Sequence, residues 1–580
     1  VDDVTDDSQT STTAATDETA TTTLPIDERF LLFPIDDGSA LSRVRLIADG
    51  RVVREFTARL GQPAQWWAHL DVSAWRGREV TLIVEPYPGA GADIDETARR
   101  TASTDLLAAV RPSSEIWSPE TLYRERLRPQ LHFSSRRGWL NDPHVVYSDG
   151  EYHLYYQHNP YACSWGNGHW GHAVSTDLVH WRELPIALYP EEGCILQSGS
   201  IVVDEGNTSG FHTGDEKALV ALYTTRGRMV IAGTTGHVEN DIPPTQHVAF
   251  SNDRGRTWTK YDENPVIPHI IGGNRDPSVF WYEPGQKWVM ALYMDESDFS
   301  LFSSTDLVSW EKTSDVTIPG EAECPELYEF AIDGDPANTR WVLYGALGRY
   351  LIGDFDGDTF TPASGPYEIQ HGNCWYASQI FRGIPAADGR CIVIAWGHGP
   401  ELYPDALYRD MPFNQAMALP IELTLRVTPD GPRLFVDPVA ELTSLRAASH
   451  AGEPGVLRDG HAHPAGVMGE LLDLETEVRV GTASEVRVEV RGVPVVYDVA
   501  TGELSCAGKS APLEMEEDGR IRLRILVDRT TIDIFANGGR LYMPIGLAID
   551  PDERSVSVTA HGGDAHLDAL EVFELTSSWE

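Results

Sequence analysis

The sequence predicts an all-β protein: a five-bladed β-propeller followed by a C-terminal β-sandwich, with a small extra N-terminal β domain. Three observations predict it. Strand-turn-strand units recur five times between about Arg128 and Pro420 with no helical pattern between them. A second phrase interleaves with them, as Ser175-Thr-Asp-Leu-Val-His-Trp181, Ser251-Asn-Asp-Arg-Gly-Arg-Thr-Trp258 and Ser304-Thr-Asp-Leu-Val-Ser-Trp310. Late in the chain, residues alternate apolar and polar, as in Ile521-Arg-Leu-Arg-Ile and Thr531-Ile-Asp-Ile-Phe535, with Asn537-Gly538 as a hairpin turn.

Taken in order, residues 1–24 are Thr, Ser, Asp and Ala with almost nothing large and apolar, and read as a disordered tail. Residues 28–115 read as the small β domain and a polar connector. In it Val44-Arg-Leu-Ile-Ala and Val52-Val-Arg-Glu-Phe56 flank Asp49-Gly50, a tight-turn pair. Trp66 and Trp67 are read either as core or as a polysaccharide-binding face. The propeller is placed at 128–420, its units opening at Asp142, Ser198, Asp276, Glu323 and Tyr376. Residues 421–450 read as a linker with a short helix over Pro438–Arg446, and 451–580 as the sandwich.

The 580 residues carry 45 Lys and Arg against 88 Asp and Glu, a net charge of −43. Nucleic acid is excluded as a partner, because phosphate binding needs a basic surface, and so is an anionic lipid surface. No apolar run is long enough to span a bilayer. Only 5 of the 45 basic residues are lysine. Acid excess with scarce lysine is the pattern of a protein working in concentrated salt, where carboxylate repulsion is screened. Six scattered cysteines form no CxxC pair and read as structural thiols. No signal peptide is visible in a chain that starts with Val1. An extracellular or cell-surface location is expected, with a cytoplasmic one as the alternative.

In a propeller the innermost strands converge on one axis, so polar residues at their starts meet in one funnel. That brings Asp142, Asp276 and Glu323 together. Three carboxylates beside Trp and amide side chains suit glycoside hydrolysis, which needs one carboxylate as nucleophile and one carboxyl as acid. Neither the Asp354–Asp358 loop nor His461 and His463 has metal-site spacing, so no metal and no cofactor is expected.

The motifs Trp139-Leu-Asn-Asp-Pro143, Tyr156-Gln-His-Asn-Pro160, Trp165-Gly-Asn, Trp170-Gly-His-Ala-Val-Ser175, Asn274-Arg-Asp-Pro277, Glu323-Cys-Pro325 and Asp528-Arg-Thr-Thr-Ile-Asp-Ile-Phe535 stand in the order seen in a known family. Over about residues 128–575 the chain resembles glycoside hydrolase family 32, the fructosidases that include invertases, levanases and exo-inulinases. The resemblance implies Asp142 as nucleophile on a β-linked fructosyl unit, Glu323 as acid and then base, and Asp276 as a grip on fructosyl hydroxyls. It implies Asn141, Gln157, Trp165, Ser198, Arg275 and Tyr376 as pocket residues, with Gln197 standing where the family usually has Phe. It also implies retention of configuration, with the two working carboxyls about 5–5.5 Å apart. The family usually continues its first motif with Asn-Gly, where this chain has His144-Val145. His144 is read as a space-filling residue bonded to backbone. The expected partner is a fructan or sucrose, and the expected activity that of a retaining exo-β-fructosidase. The alternatives are a fructosyltransferase using the same intermediate and a carbohydrate-binding propeller without catalysis. The sequence leaves the oligomeric state open.

Overall fold

The computed structural model describes residues 19–87, 101–191, 193–232, 235–238, 241–397, 408 and 411–579. They form two compact units: residues up to Trp117 together with Ala232–His237, and Ser118–Ile231 together with the chain from Val238.

In the first unit, Asp49 and Gly50 both have positive φ (51° and 75°), the backbone a two-residue hairpin requires, and they join strands Leu41–Ala48 and Arg51–Arg59. Four antiparallel strands form one sheet, in the order Ala20–Pro25, Glu79–Pro86, Leu41–Ala48, Arg51–Arg59. Trp66–Asp71, Phe30–Ile35 and Arg111–Ser113 form a second. Strand Ala20–Pro25 corrects the expected tail at 1–24. Its threonines lack apolar bulk, but they are β-branched and pair in register with Glu79–Pro86, which an edge strand achieves with backbone bonds alone. The expected tail residues 1–18 lie outside the described residues. Trp66 is core at 2% exposure, and Arg111 stacks over the Trp67 ring at 3.9 Å. Among its described residues the connector carries one short helix, Ser103–Ala109.

In the second unit the propeller's sheets follow the repeats. The first blade runs Gly138–Ser148, Glu151–Asn159, His169–Ser175, Arg182–Leu188, and the second Cys194–Asp204, Ala218–Gly227, Thr245–Ser251, Thr259–Lys260. The third runs Arg275–Tyr282, Lys287–Asp295, Asp298–Ser304, Glu311–Thr317, and the fourth Glu326–Ile332, Asp335–Tyr344, Arg349–Phe355, Phe360–Glu368. Neighbouring blades bury apolar faces against each other. Val220, Leu222 and Val248 of the second pack with Val279, Met290 and Leu292 of the third.

The fifth blade departs from the sequence reading. Its strands are Tyr376–Ile380, Cys391–Trp396, Ile421–Thr428 and Gly431–Pro438, so the expected linker at 421–450 is mostly the outer half of a blade. Ile421, Leu423 and Leu425 alternate inward and complete its buried face. The helix expected over Pro438–Arg446 is a single 3-10 segment, Ala440–Leu445. The sandwich then begins at Arg446 rather than 451, with Arg446–Ala451 pairing to Ala565–Leu575.

The interleaved phrase is a turn between a blade's third and fourth strands. Asp177 Oδ1 accepts from Ser175 Oγ (3.0 Å) and from the N–H groups of Val179 and His180, while Trp181 Nε1 donates to Leu178 O. Asp306 repeats the arrangement with Ser304, Val308, Ser309 and Trp310. Asp caps the turn and Trp staples it, which is why the spacing recurs.

The sandwich packs a seven-stranded against a six-stranded sheet over residues such as Leu474, Val488, Ile525 and Val558. Its Asp528 reaches back to the chain that enters the propeller. It accepts from the N–H groups of Gln130 (2.8 Å) and Leu131 (2.8 Å) and from His132 Nδ1 (2.8 Å), while His132 Nε2 meets Asp533 (3.1 Å). The late motif is thus a stitch between the two domains.

Candidate active site

The propeller presents its polar residues through one repeated irregularity. The innermost strand of a blade slips register by a bulge at Leu140/Pro143, Leu196/Gly199, Arg275/Ser278 and Tyr376/Gln379. The residues inside these bulges are Asn141-Asp142, Gln197-Ser198, Asp276-Pro277 and Ala377-Ser378. A bulge bends the strand and re-aims a side chain that regular pleating would turn into the blade face. In the fourth blade Glu323 and Cys324 do the same just ahead of the strand, both with positive φ (56° and 38°). Asp276 (62°) and Ala377 (51°) share that left-handed backbone, an unfavourable conformation for non-glycine residues that the surrounding fold must hold.

Two hydrogen-bond groups result. In the first, Asp142 Oδ2 accepts from Ser198 Oγ (2.6 Å) and from Gln157 Nε2 (2.8 Å), and Gln157 Nε2 also reaches Ser198 Oγ (2.7 Å). Asp142 Oδ1 makes no hydrogen bond among the described residues. Asn141 Oδ1 accepts from Trp139 Nε1 at 3.2 Å. In the second group, Arg275 donates through Nη2 to Glu323 Oε1, Tyr376 hydroxyl donates to Glu323 Oε2 (2.6 Å), and Arg275 Nε lies 3.6 Å from Asp276 Oδ2.

Electrostatics tie the groups together. Burial pushes the Asp142 carboxyl up to about 6, against the pull of the Ser198 bond, and the charge of Glu323 adds to the rise. Burial pushes Asp276 up to about 7. Arg275 opposes that shift, while Glu323 and Asp142 reinforce it. Burial disfavours the charge on Arg275, but Asp276 and Glu323 outweigh it and hold the guanidinium above its ordinary value. Cys324, whose N–H donates to Asp276 Oδ2 (3.4 Å), feels the charge of all three carboxyls. Burial and then their charges push its thiol well above the ordinary value, so it is no thiolate nucleophile.

Gln197 offers its backbone carbonyl to Trp170 Nε1 at 2.9 Å, and its side-chain Oε1 is buried without a partner among the described residues. Trp165 is half-buried on a loop held by Asn159, which bonds Ser164 O (2.8 Å) and Asn167 Nδ2 (3.0 Å). No hydrogen bond joins Trp165 to the carboxylates among the described residues. His144 is buried and stacks on Trp170 with centroids 4.1 Å apart, and burial holds its imidazole down at about 3, so it is neutral.

Sequence reasoning missed Thr224, whose Oγ1 accepts from the Asp276 N–H at 3.0 Å, and Tyr293, whose ring lies 4.7 Å from the Arg275 guanidinium. Both sit on second strands of their blades, and Tyr293 is the register partner of Arg275. Strand pairing is the signal that finds Tyr293, whereas Thr224 meets Asp276 only where the second and third blades pack together.

Comparisons with known proteins identify the family. A family model described as "Glycosyl hydrolases family 32 N-terminal domain" matches residues 132–438, and one described as "Glycosyl hydrolases family 32 C terminal" matches 441–574. The chain belongs to glycoside hydrolase family 32 and is a glycoside hydrolase. It is 35% identical over 501 residues to a levanase of Bacillus subtilis, covering 79% of this chain and 72% of that one. It is 29% identical over 521 residues to an extracellular exo-inulinase of Aspergillus ficuum, covering 79% and 96%. Among solved structures it resembles an exo-inulinase from Aspergillus awamori, with a TM-score of 0.69 and 27% identity over 80% of this chain and all of that one. The first family match ends where the fifth blade ends, at Pro438.

Proposed function

We propose that the protein is a retaining, exo-acting β-fructosidase that releases terminal β-linked fructose from fructans or sucrose, working outside the cell in concentrated salt. Asp142 is the nucleophile. Ser198 and Gln157 fasten its Oδ2, leaving Oδ1 to attack the anomeric carbon. Glu323 protonates the leaving oxygen as the glycosidic bond breaks, then takes a proton from the water that hydrolyses the fructosyl-enzyme, restoring both carboxyls. Tyr376 and Arg275 orient Glu323 through its two oxygens. Asp276, pinned at its backbone by Thr224, holds sugar hydroxyls, a grip that strengthens as charge develops in the ring. Asn141, Trp165 and Gln197 line the pocket.

The observation that carries this reading is one carboxylate with a fastened oxygen and a free one, held close enough to a second carboxyl for their charges to interact. The printed names of the relatives, levanase and extracellular exo-inulinase, support the substrate class and the location. The test is incubation at high salt with sucrose, inulin and levan, followed by product analysis. Free fructose as the main product is expected. Longer fructosyl oligomers in its place would assign the protein to transfer instead of hydrolysis.

A further inference from the structure

Five exposed large apolar side chains among the described residues belong to the propeller: Ile242, Ile270, Ile271, Leu347 and Val427. Three of them lie on loops bonded to Glu323 or next to its partner Arg275. On one loop, Asn274 Oδ1 accepts from the N–H groups of Ile270 (3.0 Å) and Ile271 (3.3 Å), and the next loop carbonyl, Gly273 O, accepts from Arg275 Nη1 (2.6 Å). The same guanidinium bonds Glu323. On the other loop, the Ala346 N–H donates to the Glu323 carbonyl (3.1 Å), and Leu347 follows directly, its own N–H bonded to Glu321 Oε2 (3.1 Å). The three side chains are 43%, 53% and 43% exposed. Two loops bonded to Arg275 and to Glu323 therefore hold aliphatic groups in water, in a chain whose net charge is −43.

The proton donor marks the leaving-group side of a glycosidase site, because its proton goes to the leaving oxygen. Side chains that flank it face whatever is attached to that oxygen. In sucrose that is one glucosyl ring, placed at Glu323 itself, whereas a fructan continues outward over the flanking loops. We propose that Ile270, Ile271 and Leu347 form an apolar platform for the second and later sugar units of a leaving fructan chain, favouring polymer over sucrose. This rests on the role assigned to Glu323 above.

The test compares wild type, Ile270→Ser/Ile271→Ser and Leu347→Ser on sucrose, inulin and levan. KM for the polymers is expected to rise about threefold for each side chain removed, the effect of roughly 25–30 Å² of apolar surface left uncovered. The polymer kcat and both sucrose constants should stay unchanged. Polymer KM values equal to wild type, or sucrose affected as strongly as polymer, would overturn the proposal. Sedimentation velocity on the same proteins should show one oligomeric state throughout, and a smaller species in the variants would assign the patch to self-association instead. A wild-type enzyme that frees fructose from none of the three would overturn the reading of the site, and the platform with it.

Discussion

Asp142→Asn should abolish fructose release and at the same time make the protein more stable. The carboxyl is 8% exposed as a residue and its acidity is pushed from 3.8 to about 6, mainly by burial. Because the folded value lies above the unfolded one, the folded state holds its proton more tightly. The resulting destabilisation is absent below about pH 4, builds between pH 4 and 6, and is constant above. A shift of this size corresponds to about 3 kcal/mol at neutral pH. Asparagine has the same shape, and its carbonyl oxygen can accept the bonds from Ser198 and Gln157, so the substitution removes the buried charge without orphaning either donor. For a unit of this size the gain is roughly 3 °C in melting temperature. Scanning calorimetry of wild type and variant from pH 4 to 8 reads it directly. The difference should be near zero at pH 4 and full above pH 6. A variant no more stable than wild type at pH 7, or equally stabilised at every pH, would refute the argument that this carboxylate is held against its own solvation.

Glu323→Gln should leave the fold intact and remove activity on unactivated substrates. Arg275→Gln, which loses contacts to both Asp276 and Glu323, should lower kcat/KM roughly a hundredfold or more in steady-state assays. At the domain stitch, burial disfavours the charge on His132, but bonds to Asp528 and Asp533 prevail and hold its imidazole up at about 9. The folded value lies above the ordinary one, so this contribution is complete below about pH 6.5 and is lost as pH rises through 9. It is worth about 3 kcal/mol, and His132→Gln should flatten the fall in melting temperature between pH 7 and 10. Dialysis into low-millimolar salt should lower the melting temperature and reduce the circular-dichroism signal, whereas identical melting curves in low and molar salt would refute salt adaptation.

The carboxylate triad was legible because each member sits in a local motif: Asn141-Asp142-Pro143, Arg275-Asp276-Pro277 and Glu323-Cys324-Pro325. What made them a site was not legible. The register slip that aims Asp142 is a property of two paired strands, and the donors that fasten it come from Gln157 and Ser198, 15 and 56 positions along the chain. The outer fifth blade was misread for a similar reason. Ile421-Glu-Leu-Thr-Leu-Arg-Val-Thr428 alternates as any half-buried strand does, and only its pairing with Cys391–Trp396 assigns it to the propeller rather than to a linker. The Asp528 motif was conspicuous in sequence, yet its work is done on backbone amides nearly 400 positions away.

The sequence by itself determined most of the strands, the turns that join them and the candidates for the groups that do the chemistry, because alternation, Asx-type turns and motif residues are all encoded within a few positions. Tertiary structure alone decided which strand neighbours which, how far each carboxyl is taken out of water and which oxygen is left free. Those follow from pairing and burial, which depend on residues that meet only after the ring has closed.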